Sequence, residues 1–363
     1  MHGRPRPPKG AVPDPEKVAA TKKKAAMLRR LIDEVLRRKK EGKADKESMA
    51  LAAQLCELSP EAYTAWNYRK EVLGPSLSEP SGSDASRGEA LSAELALTQK
   101  ALERNPKAYC AWHHRRWALG LADADVASEV PLLDKLLAMD PRNFHAWGHR
   151  RWVAARLGLS PAQELAHTSR LIEQNFSNYS AWHYRSMLLP LVHPAEGPPA
   201  ERMPDLEAAP SGGAAPARRG VSRVALEGEL EILRQAVFTE PEDQSAWMYH
   251  RWALACCMGH VEAARAQGGA AEADARAWLA RVVAGEQGAM EELLALEPDA
   301  KWPLLTRARL RGLAAGAAGG GNKGAELDGG GEYERLAGID PDRRGFYADA
   351  AAGRAHVVTP PLL

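Results

Sequence analysis

A Trp followed three residues later by a basic side chain recurs five times along the 363-residue chain, and the spacing of those copies limits the fold more than any other feature. With Trp66, Trp112, Trp147, Trp182 and Trp247 in register, the third residue on is Arg69, Arg115, Arg150, Arg185 or His250. The second residue on is always a ring: Tyr68, His114, His149, Tyr184 or Tyr249. Six residues before the Trp stand Pro60, Pro106, Pro141 and Pro241, and Phe176 breaks the column. The middle copies lie 35 residues apart, and the outer gaps of 46 and 65 residues carry extra sequence. A fixed period of this length marks helical hairpins stacked into a solenoid. The fold class predicted is all-α. It is a right-handed α–α superhelix of five clear repeats, with a sixth, degenerate copy ending in Leu296-Glu297-Pro298-Asp299-Ala300-Lys301-Trp302.

Each repeat reads as a helix A, a short turn with Pro, and a helix B carrying the Trp. In the second repeat helix A runs from about Glu89 to Arg104 and helix B from about Lys107 to Leu121. The Pro suits the start of helix B, where its missing N–H would have no partner anyway. Ser59, Asn105, Asp140 and Asn175 precede that position and are good capping types. Residues 1–13 are Pro-rich and basic, a disordered N-terminal arm. The superhelix spans 14–313 with a low-complexity insert at 193–221. A Gly/Ala linker follows at 314–331, then a C-terminal cap and tail at 332–363. From Pro15 to Glu41, apolar residues recur at helical spacing with ten Lys and Arg opposite, which reads as a solvated helix face rather than a nucleic-acid arm.

A net charge of +1 gives no general pull toward nucleic acid. No apolar run is long enough to span a membrane. The opening Met1-His2-Gly3-Arg4-Pro5 lacks the apolar core of a signal peptide. The four cysteines show no CxxC spacing, so reduced thiols in the cytoplasm are expected. HExxH, P-loop, GxSxG and strand-borne GxGxxG motifs are all missing. A metal held within this chain is therefore not expected, nor is the machinery of an enzyme acting alone.

The Trp column reads as core, each ring filling space between stacked hairpins. The Arg column must either meet carboxylates between repeats or line a charged concave face, because a guanidinium is almost never buried unpaired. His114 and His149 alternate with Tyr, which suits a ring making one hydrogen bond better than a metal ligand. One further column discriminates among repeats. Five residues before the Trp stand Glu61, Lys107, Arg142, Ser177 and Glu242. Only the second and third are basic, beside Tyr109 and Phe144. A Lys at a helix N-terminus opposes the dipole unless it points to an anion, which the free N–H groups would also attract. The alternative is an ordinary solvated Lys.

Repeats reading Pro-Lys-Ala-Tyr-Cys-Ala-Trp-His-His-Arg-Arg, Pro-Arg-Asn-Phe-His-Ala-Trp-Gly-His-Arg-Arg and Asn-Phe-Ser-Asn-Tyr-Ser-Ala-Trp-His-Tyr-Arg resemble the protein prenyltransferase α-subunit repeat. Met1-His2-Gly3-Arg4, the fourth repeat with Ser186, and Asp243-Gln244-Ser245-Ala246-Trp247-Met248-Tyr249-His250 are similar to the Rab geranylgeranyltransferase (type II) branch. The C-terminal leucine-rich repeats that many α subunits of that branch carry have no counterpart in this sequence. The resemblance implies an obligate heterodimer, active only with a prenyltransferase β subunit that holds a zinc ion and most of the active site. It implies transfer of geranylgeranyl from geranylgeranyl diphosphate to C-terminal cysteines of Rab GTPases presented by a Rab escort protein. The family's α subunit contributes one Lys to the diphosphate site, which maps onto Lys107 as a catalytic residue, and the neighbouring substrate-binding Tyr matches Tyr109. On the N-terminal arm, His2 is an accessible imidazole that could reach the β-subunit zinc and block it when substrate is absent. Two alternatives stand beside this reading: the α subunit shared by farnesyltransferase and geranylgeranyltransferase type I, and a non-catalytic scaffold of the tetratricopeptide kind.

Overall fold

A computed structural model describes residues 14–78, 84–121, 124–204, 220–317, 331–352 and 354. The arm with His2, residues 205–219 of the insert, most of the linker and the end of the tail lie outside the described residues. Among the described residues there are fifteen α-helices, two short 3-10 turns and no strand. They fall into two compact units, Met1–Leu137 with Asn143–Val153, and Ala138–Arg142 with Ala154–Leu363.

The first unit holds α1 (Pro15–Lys40), α2 (Lys46–Leu58), α3 (Tyr63–Ser78), α4 (Asp84–Arg104), α5 (Tyr109–Leu119), nearly all of α6 (Glu129–Met139) and most of α7 (Phe144–Leu157). Helices α2 and α3, then α4 and α5, pack as antiparallel hairpins. Only the C-terminal part of α1 is packed. Val35 and Arg38 are buried, while Val18, Met27 and Leu36 of its apolar stripe stay exposed.

The second unit contains α8 (Pro161–Gln174), α9 (Tyr179–Val192), α10 (Arg223–Thr239), α11 (Gln244–Arg265), α12 (Gly269–Leu296), α13 (Lys301–Ala317), α14 (Glu332–Ile339) and α15 (Arg344–Ala351), paired in that order. Helix α8 shows how the sequence starts a helix. Ser160 accepts from the Gln163 amide, the Gln163 side chain accepts from the Ser160 amide at 2.8 Å, and Pro161 fills the first turn. The ends of the insert are pinned where Pro194 bridges Val221 and the Ala195 amide donates to Gly220 O at 2.7 Å.

Helix B starts later than the sequence predicts. The Pro lies in the turn, and α5 begins only at Tyr109, because Asn105 does not cap the helix. Its Oδ1 accepts from the Lys107 amide at 3.2 Å, and Asp140 and Asn175 close the same side-chain turn on Arg142 and Ser177. Where a side-chain cap exists it comes three residues on, from Asn143, Asn178 and Asp243.

All five lead Trp residues are buried. For Trp66, Trp112, Trp182 and Trp247 the indole Nε1 donates to the carbonyl six residues back, from Pro60, Pro106, Phe176 and Pro241 at 2.8–2.9 Å. A carbonyl serves whatever side chain it carries, which is why Phe176 can interrupt the Pro column. The Ala before each Trp (Ala65, Ala111, Ala146, Ala181, Ala246) is also buried and holds no bulk between packed backbones.

The rows of Arg and rings meet carboxylates. In the first unit Glu94 accepts from Arg69, through Nε at 3.0 Å and through Nη2, and from His114 Nε2 at 2.8 Å. Glu129 accepts from Arg115 at 2.7 and 2.6 Å and from His149 Nε2 at 2.9 Å. In the second unit Glu229 does the same for Arg185, twice at 2.6 Å, and for Tyr249 Oη at 2.7 Å. For these three the guanidinium column is structural, and the charged-face reading fails, since Arg69, Arg115 and Arg185 are buried in bidentate pairs.

Burial alone would raise the Glu94 and Glu129 carboxyls, but the hydrogen bonds from His and Arg outweigh it and hold both below the ordinary value. Burial drives His114 and His149 down despite those carboxylates. The reason is visible at the other nitrogen: Nδ1 of each is buried with no partner, so a second ring proton would have no acceptor. Stability should therefore fall in acid in two stages. Below about pH 6.5 the unfolded chain takes up protons on His that the folded chain refuses. Below about pH 4.5 the same holds for the carboxylates. Both have one sign, with the unfolded state binding more protons. Urea midpoints from pH 8 to 4 should be level above about pH 7 and drop below it, and a flat or rising midpoint between pH 7 and 5 would contradict this account.

Candidate functional site

The turn before α5 carries the residues singled out by the sequence. Its backbone is closed by the Asn105 side chain and by the Ala108 amide donating to Asn105 O at 3.1 Å. Pro106 O accepts from the Trp112 indole at 2.9 Å and from Asn143 Nδ2 at 3.1 Å, tying this turn to the core and to the next turn. Ala108 points inward and is fully buried, which leaves Lys107 exposed on the opposite side. Lys107 thus stands ahead of the helix rather than in its first turn.

Tyr109 is the first residue of α5 and is 62% exposed. Its amide donates to Glu61 Oε1 at 3.0 Å, so a carboxylate from the preceding turn already occupies one of the helix's free N–H groups. At that one N–H the Glu61 carboxylate stands where the sequence reading places an outside anion. The Tyr109 ring meets His145 edge-on, with centroids 4.2 Å apart, and lies 5.8 Å from Phe144, which is 59% exposed. His145 is buried, its Nε2 has no partner, and burial holds its pKa below the ordinary value, with Arg116 and Lys107 adding to the downward push and Glu61 opposing it. The site is a cation beside an aromatic ledge, on a turn fixed from below.

The sequence column's other basic member behaves differently. In the second unit Arg142 Nη2 donates to Ser177 O at 2.9 Å. Ser177 Oγ donates onward to Asp243 Oδ2 at 2.7 Å, so Arg142 belongs to a latch between turns. His145 and Glu61 were not foreseen as parts of the site. The signal for His145 was its place next to Phe144 on the following helix, which a column-by-column reading passes over. His2 lies outside the described residues. Among the described residues no group of three His, Cys, Asp or Glu could hold a metal ion, and no helix is long and apolar enough to cross a membrane.

Comparison with known proteins gives this site a context. Residues 45–74, 91–122, 126–157, 161–191 and 226–257 match the family described as protein prenyltransferase alpha subunit repeat. Over 119 residues the chain is 31% identical to geranylgeranyl transferase type-2 subunit alpha of Dictyostelium discoideum, a stretch covering 33% of this chain and 32% of that one. It is 40% identical over 57 residues to the protein of that name in Schizosaccharomyces pombe, covering 16% and 15%. To geranylgeranyl transferase type-2 subunit alpha 1 of Arabidopsis thaliana it is 43% identical over 70 residues, covering 19% and 10%. The matched stretches thus span a third or less of these relatives' length. A solved structure, Candida albicans protein geranylgeranyltransferase-I complexed with GGPP, aligns over 98% of this chain and 96% of its own, with a TM-score of 0.59 at 18% identity. At that identity the likeness is one of fold, the all-α superhelix of hairpins that the 35-residue period predicts.

Proposed function

From the chain's membership of the protein prenyltransferase alpha subunit repeat family, we infer that it is the α subunit of a heterodimeric protein geranylgeranyltransferase of type II, which transfers geranylgeranyl from its diphosphate to C-terminal cysteines of Rab GTPases. The observation that carries this reading is Lys107 exposed beside an aromatic ledge at the hairpin turns. Tyr63, Tyr109 and Phe144 each open a helix B of the first unit and are 66%, 62% and 59% exposed. In the second unit Tyr179 opens α9 and is 49% exposed. Large rings displayed repeatedly in water are unfavourable unless a partner covers them. The β subunit is that partner, and the escort protein presents the Rab acceptor to the assembled pair. The type II branch is favoured over the shared farnesyl and type I α subunit by the names of the curated relatives.

In this reading Lys107 holds its ammonium toward the diphosphate of geranylgeranyl diphosphate. As the carbon–oxygen bond breaks, negative charge grows on the leaving group, and a fixed cation binds that charge more tightly than the ground state. Tyr109 and Phe144 provide apolar contact next to the charged end. Zinc is assigned to the β subunit. Among the described residues of this chain no group of three His, Cys, Asp or Glu could hold it.

Co-expression with β subunits of the type II, type I and farnesyl enzymes tests the reading. A stable complex should form with the type II partner, and prenylation of a Rab acceptor should require both chains. Turnover of geranylgeranyl diphosphate by the purified chain alone, or no complex with any of the three partners, would overturn it.

A further inference from the structure

The last helices of the second unit enclose a recess that the prenyl-transfer reading leaves unused. Met248, Leu305, Phe346 and Tyr347 give it apolar walls, and Trp302 and Arg309 stand among its other lining residues. Phe346, at 38% exposed, stands open to solvent.

Arg309 is unlike the Arg residues of the repeat column. Arg69, Arg115 and Arg185 are each buried in a bidentate pair with Glu94, Glu129 or Glu229. Arg309 makes no hydrogen bond or ion pair with any described residue, and its Nε is shut away from solvent. Burial pushes its pKa down to about 10, with the neighbouring Arg251 cation adding to the effect. The indole Nε1 of Trp302 is also buried with no partner. Lys301 lies at the same recess, its Nζ 5.6 Å from the Trp302 ring centre.

The recess does contain a carboxylate, but it is engaged. Asp340 Oδ2 accepts from Arg343 Nη1 at 2.7 Å and from Tyr347 Oη at 2.9 Å. That leaves an apolar recess whose Arg309 guanidinium has no carboxylate partner among the described residues. A folded chain keeps such a group unpaired only at a stability cost, which is a mark of a binding site. A guanidinium matches a planar anion through two parallel hydrogen bonds. A carboxylate, singly charged and less strongly hydrated than a phosphate, loses less on entering an apolar recess. The apolar walls require that the carboxylate be carried on a large apolar group.

We propose that this recess binds a carboxylate attached to an aryl or branched-alkyl group, as at the end of a peptide whose last residue is large and apolar, and that Arg309 receives the carboxylate. The proposal is independent of the prenyl-transfer reading.

The test is titration calorimetry on the full chain with three probes: N-acetyl-Gly-Gly-Phe with a free carboxylate, its C-terminal amide, and phenylacetate. The free acid should bind roughly tenfold or more tightly than the amide, the amount expected for one charge-assisted pair. Arg309→Met should abolish that preference, and Phe346→Ala should weaken both peptides alike. Tighter binding of the tripeptide than of phenylacetate identifies a peptide end, and equal binding identifies a free small acid. Either supports the carboxylate site. Thermal unfolding separates a binding role from a structural one. Arg309→Met should raise the Tm of the unliganded chain by removing an uncompensated charge, whereas loss of a structural Arg would lower it. Equal binding of acid and amide, unchanged binding by Arg309→Met, a lowered Tm, or no binding by either acid up to about 10 mM would each overturn the proposal.

Discussion

Lys107→Ala is expected to slow single-turnover prenylation by the reconstituted heterodimer roughly 10²–10³-fold, equivalent to about 2–4 kcal/mol of transition-state stabilisation. On the proposed function the loss should fall on the chemical step, because the interaction would strengthen as the leaving diphosphate gains charge, and the affinity for geranylgeranyl diphosphate should change less. Lys107 is exposed on a turn whose backbone is held by Asn105, Asn143 and Trp112, none of which depends on its side chain. The variant therefore unfolds within about 0.5 kcal/mol of the parent. Arg142→Ala is the control. It removes the bond to Ser177 O in the second unit and should leave the single-turnover rate nearly intact. A parental rate for Lys107→Ala ends the assignment. A slow variant that no longer assembles with the β subunit makes Lys107 an interface residue instead.

How much of this was legible in the sequence differs from column to column. The hairpins and the buried Trp row were, because a ring repeated at 35 residues has little to do except pack between helices. The helix B starts lie a few residues later than the sequence predicts. Asn and Asp close a turn on their own backbone as readily as they cap a helix, and the choice depends on geometry that spacing does not carry. For the Arg row the sequence allows two readings, because spacing alone does not show the partners. Those partners had a signature of their own. Glu94, Glu129, Glu164 and Glu229 each stand 20 residues before the ring to which they bond, His114, His149, Tyr184 and Tyr249. A search for carboxylates at a fixed distance from the rings would have found them. Arg309 and His145 belong to no column. Their isolation is a property of the packing around them, and nothing in their spacing announces it.

Glu129→Ala is expected to be among the most destabilising single changes in the first unit, at about 3–5 kcal/mol. Glu129 is buried and takes both Arg115 Nε and Nη2 as well as His149 Nε2. Without it the Arg115 cation remains buried, with Nη1 still bonded to Leu95 O and Thr98 Oγ1 but the other two donors stranded. His149 also loses its acceptor. That loss is a large part of the roughly 5–15 kcal/mol that holds a typical domain together. Glu129→Gln should cost less, since an amide oxygen can still accept from the guanidinium. The double variant Arg115→Met with Glu129→Leu distinguishes charge burial from the loss of a favourable contact. If the cost arises mainly from stranding a cation, removing both partners with apolar groups restores much of the lost stability, and the double variant is more stable than Glu129→Ala. Urea unfolding of the three variants at pH 7.5 reads this directly. A cost under about 1 kcal/mol for Glu129→Ala would mean that water reaches Arg115 once the carboxylate is gone, and that the pair contributes little to holding adjacent hairpins in register.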